Sequence, residues 1–298
     1  RRTPDLLPRD EVARAINAEV KAGRGSPHGG VFLDIAARRD AEYIKKRLPS
    51  MYHQFKELAD VDITAEPMEV GPTCHYQMGG LRVDADTTAT TVPGLFAAGE
   101  AAAGLHGANR LGGNSLSDLV VFGRRAGLYA AEYAAGLSGS AAVDDGEVEA
   151  AACAMLAPFE AEGGENPYAI HADLEACMHE LVGIIRTESE LLRALDEIGR
   201  LRERAKRVSV QGNRQYNPGW HLALDLPTML TVAEAVTRSA IERRESRGGH
   251  TREDYPTTDR DFGQVNVVTR RVGEEIRVCQ EPLPELPDEL KRLLEEKV

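Results

Sequence analysis

Arg110, His75, Glu100 and His106 are the side chains of this sequence best suited to chemistry, and all fall in one glycine-rich stretch, residues 72–123. Glycines let backbone approach a ligand closely, with a few charged groups set beside it. The Arg110 guanidinium can bind a carboxylate through two parallel N–H donors, a geometry lysine lacks. His75, between Pro72 and Gly79-Gly80, can supply a second donor. Brought together by folding, the two would suit a substrate with two carboxylates. Glu100 follows the apolar run Leu95–Ala98 and Gly99. A carboxylate at the C-terminal end of a strand can accept two hydroxyl hydrogen bonds from a polyol or ribose. Plainer readings stand beside these: a solvated strand-end glutamate, and a histidine satisfied within the fold.

These groups need elements to hold them. Gly112-Gly113-Asn114 makes a tight turn, and a long helix is expected over 115–137, with Ser115 near its N-cap and Gly136 near its end. The first N–H groups of such a helix lack partners and the macrodipole is positive there, so an anion is stabilised without charged side chains. The pyrimidine edge of a reduced flavin is one such anion. Leu116, Leu119, Val120, Gly123, Gly127 and Ala130 predict an apolar, small-residue face that packs tightly. Upstream, Asp10 is the expected N-cap of a helix carrying Val12, Ala15, Ile16 and Val20. A buried strand follows at 30–35, then helices at 41–48 and 51–59, split at Pro49. Short β-like runs are expected at 68–70, 75–78, 81–84 and 95–98.

Downstream, residues 138–146 are small, polar and acidic, as a linker would be. Helical patterns at 147–162, 167–186 and 188–210 suggest an antiparallel bundle, with a turn at 216–220 and a further helix at 226–244. Residues 184–207 are rich in Arg and Glu and read as solvated helix faces. Residues 243–256 are denser in polar groups than a loop needs, and are expected to cover an active site or form a subunit contact. A hairpin at 265–268 and 276–278 and a charged tail at 284–298 complete the chain. The fold class expected is α+β and multidomain.

Composition narrows the partners. The chain has 298 residues, 42% apolar and 28% charged, ordinary for a globular protein. Its net charge of −12 argues against nucleic acid and against direct docking on an anionic membrane surface. The four cysteines form no CxxC pair, which disfavours a zinc site or a Cys-held cluster and fits a reducing compartment. No run of about 18 apolar residues offers a membrane span, and no signal peptide opens the chain. Gly23-Arg24-Gly25 is a lone G-x-G with His28 where a third glycine belongs. The ADP half of a dinucleotide site is thus not expected among these residues. The sequence opens without Met, inside a structured pattern, and is expected to be a piece of a longer polypeptide.

The residues HYQMGG (75–80), AGE (98–100), HGANRLGGNSLSDLVVFG (106–123) and 245–256 resemble the flavoprotein subunit of succinate dehydrogenase and fumarate reductase. The resemblance runs from about residue 8 to the C-terminus. L-aspartate oxidases share HGANR but usually differ after it. The resemblance implies FAD as cofactor, held by Glu100 and by Asn114, Ser115 and Leu116, the last two through main chain. His75 would bind one substrate carboxylate and Arg110 the other. Arg9 would be the proton-transfer residue; a guanidinium rarely gives up its proton, so this role requires a relay that reprotonates it at once. The implied reaction is succinate to fumarate, or the reverse. Electrons would pass to an iron–sulfur subunit, then through a membrane anchor to quinone. The implied location is peripheral, on the cytoplasmic side of a bacterial plasma membrane.

By the same resemblance, residues 1–71 would be the end of a capping domain and 72–137 a segment returning to a Rossmann-like FAD domain. After the 138–146 linker, 147–245 would be the helical domain and 246–298 the C-terminal domain. The ADP cradle and any covalent FAD attachment would lie upstream. The isolated chain is expected neither to hold FAD stably nor to turn over. Two other readings stay open: an L-aspartate oxidase, and a non-catalytic helical scaffold for subunit contact.

Overall fold

Pro8, not Asp10, stands at the N-cap of the first helix, α1 (Arg9–Lys21). Proline pre-sets the backbone for a helix start. Asp10 falls inside the first turn, where with Glu11 it favours the positive helix end. The computed structural model describes residues 7–139 and 142–295. Residues 1–6 of the opening loop, 140–141 of the linker and 296–298 of the tail lie outside the described residues. The chain divides into two units, Arg1–Ala130 and Ala131–Val298.

In the first unit, β1 (Val31–Leu33) pairs antiparallel with β2 (Met68–Val70), Val31 opposite Val70. Between them lie α2 (Ala41–Arg47), whose N-cap Asp40 accepts from the Tyr43 N–H, and α3 (Pro49–Ala59). Pro49 opens α3 rather than standing before it, because its missing N–H is one a first turn leaves unpaired anyway. Ile44, Ile63 and Met68 form a small core here, with Tyr52 and Phe55 packed against it.

The runs at 75–78, 81–84 and 95–98 are not strands. Leu81 pairs with Ala102, and Ala89 with Phe96, only as single bridges. Glycines 79, 80, 94 and 99 adopt positive φ and turn the chain before a ladder can grow. At Gly80 the approach is also close: a Cβ there would sit 2.4 Å from the Ala101 carbonyl oxygen. α4 (Asn114–Ala135) begins one residue before Ser115. Its expected tight apolar face is instead open: Leu116 is 69% exposed, and Leu119 and Val120 are also exposed. Among the described residues, Asp118 is the one buried residue of this helix.

The second unit is built on α5 (Asp145–Glu160), α6 (Pro167–Leu181), α7 (Glu188–Ala205) and α8 (Pro218–Glu242). A capping box between Thr187 and Glu190 starts α7. The expected turn at 216–220 is in fact the start of α8: Asn217 caps it by accepting from the Trp220 N–H, and Pro218 takes the first position. Ile170, Leu174, Leu191, Ile198, Leu201, Leu226 and Leu230 interlock between α6, α7 and α8 as the main core. β3 (Val265–Val272) and β4 (Glu275–Pro282) form a longer hairpin than expected, turned by Gly273 at φ +63°. The tail contains a helix, α9 (Asp288–Glu295).

The polar segment 243–256 is folded into this unit as a charge network. Arg186, expected on a solvated face, is part-buried and donates to the Val182 and Gly183 carbonyls and to His250 Nδ1 at 2.9 Å. His250 Nε2 donates to the Arg243 carbonyl at 3.0 Å, so both ring nitrogens are used by the neutral form. Burial pushes the His250 pKa down to about 4, and the Arg186, Arg252 and Arg243 charges push the same way. The neutral form is therefore favoured on folding, whereas the unfolded chain gains this proton near pH 6.5. Stability is full above about pH 6.5 and falls as the pH drops from about 6.5 towards 4. His250→Gln is expected to flatten that slope in urea-denaturation midpoints measured at pH 7, 6 and 5. An unchanged slope would show that other groups set it.

Candidate functional site

The glycine-rich stretch of the first unit brings two of the predicted residues, His75 and Arg110, into contact and ties Glu100 to the segment that follows His75. Arg110 Nη2 lies 3.0 Å from His75 Nε2. A guanidinium only donates, so His75 Nε2 accepts and the imidazole carries its proton on Nδ1. Arg110 Nη1 donates to the Leu111 carbonyl at 3.1 Å, and the guanidinium carbon sits 4.7 Å over the Tyr76 ring. Its Nε is buried without a hydrogen-bond partner among the described residues. One residue past Tyr76, the Gln77 N–H donates to Glu100 Oε1 at 2.7 Å. This bond ties the segment after His75 to the 3-10 turn Gly99–Ala101. Glu100 is exposed, and no hydrogen bond among the described residues takes its other oxygen.

Asn114, Ser115 and Leu116 are the first three residues of α4. The Asn114 N–H bonds back to the Leu111 carbonyl at 3.2 Å, while the next two N–H groups have no intrahelical partner. Gly113 at φ +84° makes the turn into the helix. Arg9 is the first residue of α1 and is exposed. No hydrogen bond, ion pair or ring contact among the described residues links it to His75, Arg110 or Glu100.

Two residues escape a reading by motif. Tyr76 carries Arg110 on its ring, and its hydroxyl donates to Asp118 Oδ2 at 3.4 Å. Asp118 is 5% exposed. A lone acid amid Leu116, Leu119, Val120 and Val121 was the available signal, because a carboxylate on an apolar helix face has to meet donors. His106 Nε2 stands 3.3 Å from the same oxygen, at ion-pair distance but without a hydrogen bond, and this buried nitrogen has no hydrogen-bond partner among the described residues.

Comparison with known proteins bears directly on this arrangement. An FAD binding domain model matches residues 1–116, and the fumarate reductase flavoprotein C-terminal model matches residues 171–285. The chain belongs to the succinate dehydrogenase and fumarate reductase flavoprotein family. The fumarate reductase flavoprotein subunit of Haemophilus influenzae is 40% identical over 266 residues, covering 86% of this chain and 43% of that protein. The structure of Mycobacterium smegmatis Sdh1 in complex with UQ1 superposes with a TM-score of 0.90 at 57% identity, covering 99% of this chain and 50% of that one. An E. coli quinol fumarate reductase structure, of the FrdA E245Q variant, gives 0.85 at 34% identity, covering 96% and 52%. The chain spans about half the length of the curated relatives it matches. The α+β architecture of helices with small sheets is that of the family's flavoprotein subunits.

FAD is the family's cofactor, and the residues present fit its redox end. The free oxygen of Glu100 can take a hydroxyl of a polyol chain. The N–H groups of Ser115 and Leu116 can face a developing anion. Exposed Leu116, Leu119 and Val120 offer an apolar surface beside them. Among the described residues no helix is long and apolar enough to cross a membrane.

Proposed function

We propose that the full-length protein is a succinate dehydrogenase, or a fumarate reductase in the opposite direction, and that His75 and Arg110 bind the substrate's carboxylate end. The 3.0 Å contact between these two groups is the observation that carries the reading. The sequence alone suggested one residue for each carboxylate. Two groups in direct contact offer two donors to one carboxylate more readily than one donor to each end of an extended four-carbon diacid. On this reading the second carboxylate is met by other residues. Arg110 supplies the fixed charge, and His75 supplies Nδ1–H, or Nε2–H once the substrate replaces it on Arg110. Holding one end this way fixes the central carbons in place, and orientation of that kind supplies much of the rate.

When bound, FAD supplies the hydride chemistry. One hydrogen of the succinate CH₂–CH₂ unit leaves as hydride and the other as a proton, which Arg9 passes on within a relay. The two electrons then pass to an iron–sulfur subunit, and from it to a quinone-reactive membrane anchor, with the flavoprotein peripheral on the cytoplasmic side. Residues 1–71, 72–137, 147–245 and 246–298 serve as the end of the capping domain, the returning FAD-domain segment, the helical domain and the C-terminal domain.

The test assays the purified full-length protein with succinate plus a dye acceptor, with fumarate plus a reduced dye, and with L-aspartate. Turnover of the four-carbon diacids without turnover of aspartate is expected. Aspartate oxidation would replace this reading with an L-aspartate oxidase. The 298-residue chain alone is expected to purify without yellow flavin and without activity, as a scaffold would; bound flavin with succinate-dependent dye reduction would overturn that expectation.

A further inference from the structure

Asp118 is a charge in an apolar setting. It lies in the second turn of α4, almost wholly buried, while Leu116, Leu119 and Val120 of the same helix face outward. A buried carboxylate is costly unless donors hold it. Two groups converge on its Oδ2: the Tyr76 hydroxyl at 3.4 Å and His106 Nε2 at 3.3 Å. The His106 side chain is only 9% exposed, and its Nε2 has no hydrogen-bond partner among the described residues. The His106 ring meets the Tyr76 ring edge-on, with centroids 5.4 Å apart. Burial and the Asp118 charge push the Tyr76 phenol pKa up, so it keeps its proton and remains the donor. The opposite end of this chain of contacts is the Arg110 guanidinium over the Tyr76 ring.

We propose that Asp118 is a positioning residue of the carboxylate site: it anchors Tyr76 and His106, and the Tyr76 ring in turn fixes the plane of the Arg110 guanidinium. The inference rests on the reading of Arg110 as a carboxylate donor. A bidentate pair requires the guanidinium and carboxylate to be coplanar, so the tilt of the platform beneath Arg110 acts directly on affinity. His106 Nε2 stands at ion-pair distance from the same oxygen without a hydrogen bond to it. The long Tyr76–Asp118 hydrogen bond is of a kind that tightens once a ligand is bound.

The test is a titration of the FAD-loaded full-length enzyme with malonate, a dicarboxylate that does not react, followed by the change in flavin absorbance. Asp118→Asn and Tyr76→Phe are each expected to weaken malonate about tenfold. The double variant should be no weaker than either alone, because both changes cut the same tether. Tyr76→Leu, which also removes the ring, is expected to be weaker still. A merely structural role would lower Tm while leaving the affinity of each FAD-loaded molecule unchanged, and that result in Tyr76→Phe would overturn the proposal, as would additive effects in the double variant. Where Asp118→Asn fails to load FAD, Tyr76→Phe decides, since it removes one hydroxyl. Arg110→Ala is the control: unchanged affinity there would sink the carboxylate site itself, whereas loss there with unchanged Tyr76→Phe would sink only the role of Asp118.

Discussion

Replacing Arg110 by alanine in the full-length enzyme is expected to lower kcat/KM for succinate about a thousandfold, equivalent to ~4 kcal/mol of transition-state binding. The side chain brings a permanent charge and a planar pair of donors, and it is already in place: His75 holds Nη2, the Leu111 carbonyl holds Nη1, and the Tyr76 ring lies beneath. Its buried Nε has no hydrogen-bond partner among the described residues. Truncation removes the charge and leaves His75 without its donor. Arg110→Lys keeps the charge but loses the fork, and is expected to recover only part of the activity, with kcat/KM still about tenfold or more below the parent. Steady-state kinetics at matched FAD content measure both. An unchanged kcat/KM in Arg110→Ala would remove Arg110 from the site.

The largest expected effect on stability lies in the second unit, at Arg252. This side chain is fully buried. Nε and Nη2 pair bidentately with Asp254 at 2.8 and 2.7 Å, and Nη1 donates to the Ala240 and Ile241 carbonyls at 2.8 and 3.3 Å. Those carbonyls belong to the last turn of α8, whose partners run out and whose dipole favours a cation. The Arg252 hydrogen bonds hold the Asp254 carboxyl down at about 2, although burial opposes this. Arg252→Ala removes all of these bonds and leaves two carbonyls facing a void, while Asp254, its side chain 29% exposed, keeps the Glu188 N–H. The expected cost is about 3–5 kcal/mol, far more than an exposed ion pair is worth. Urea denaturation reads it as a lower midpoint at unchanged slope. A shift within about 0.5 kcal/mol would mean that water reaches the site and replaces the guanidinium.

Much of the site could be read from residue types. Arg110, His75 and Glu100 were singled out because few side chains bind carboxylates or hydroxyls in those ways, and the glycines around them required close backbone approach. The long helix after Gly113 followed from its period, and most bundle helices followed from theirs. The misses share a cause. Residues 75–78 and 95–98 have strand-like composition, but a strand needs a partner: 95–98 has a single bridge at Phe96 and 75–78 has none among the described residues. The apolar residues of α4 suggested a packed face, yet a period shows which residues share a face and not what covers it. Arg186 looked solvated because charge usually is, and the polar density of 243–256 suggested a cover for a site or a subunit contact, not a network within its own unit. Their partners lie far apart in sequence, as Arg186 and His250 do, so no local pattern could pair them.

By itself, then, the sequence determined the chemistry available: one guanidinium, an imidazole and a carboxylate set among glycines, with a helix start for an anion. These are properties of residue type and of neighbours along the chain. Only the tertiary structure decided that His75 and Arg110 touch, that Tyr76 is the platform beneath the guanidinium, and that Asp118 is buried under both Tyr76 and His106. Those facts join residues that are not neighbours along the chain, 35 apart for His75 and Arg110 and 42 apart for Tyr76 and Asp118. Such contacts depend on how the turns at Gly79, Gly80, Gly99 and Gly113 aim the segments they connect, which composition does not encode.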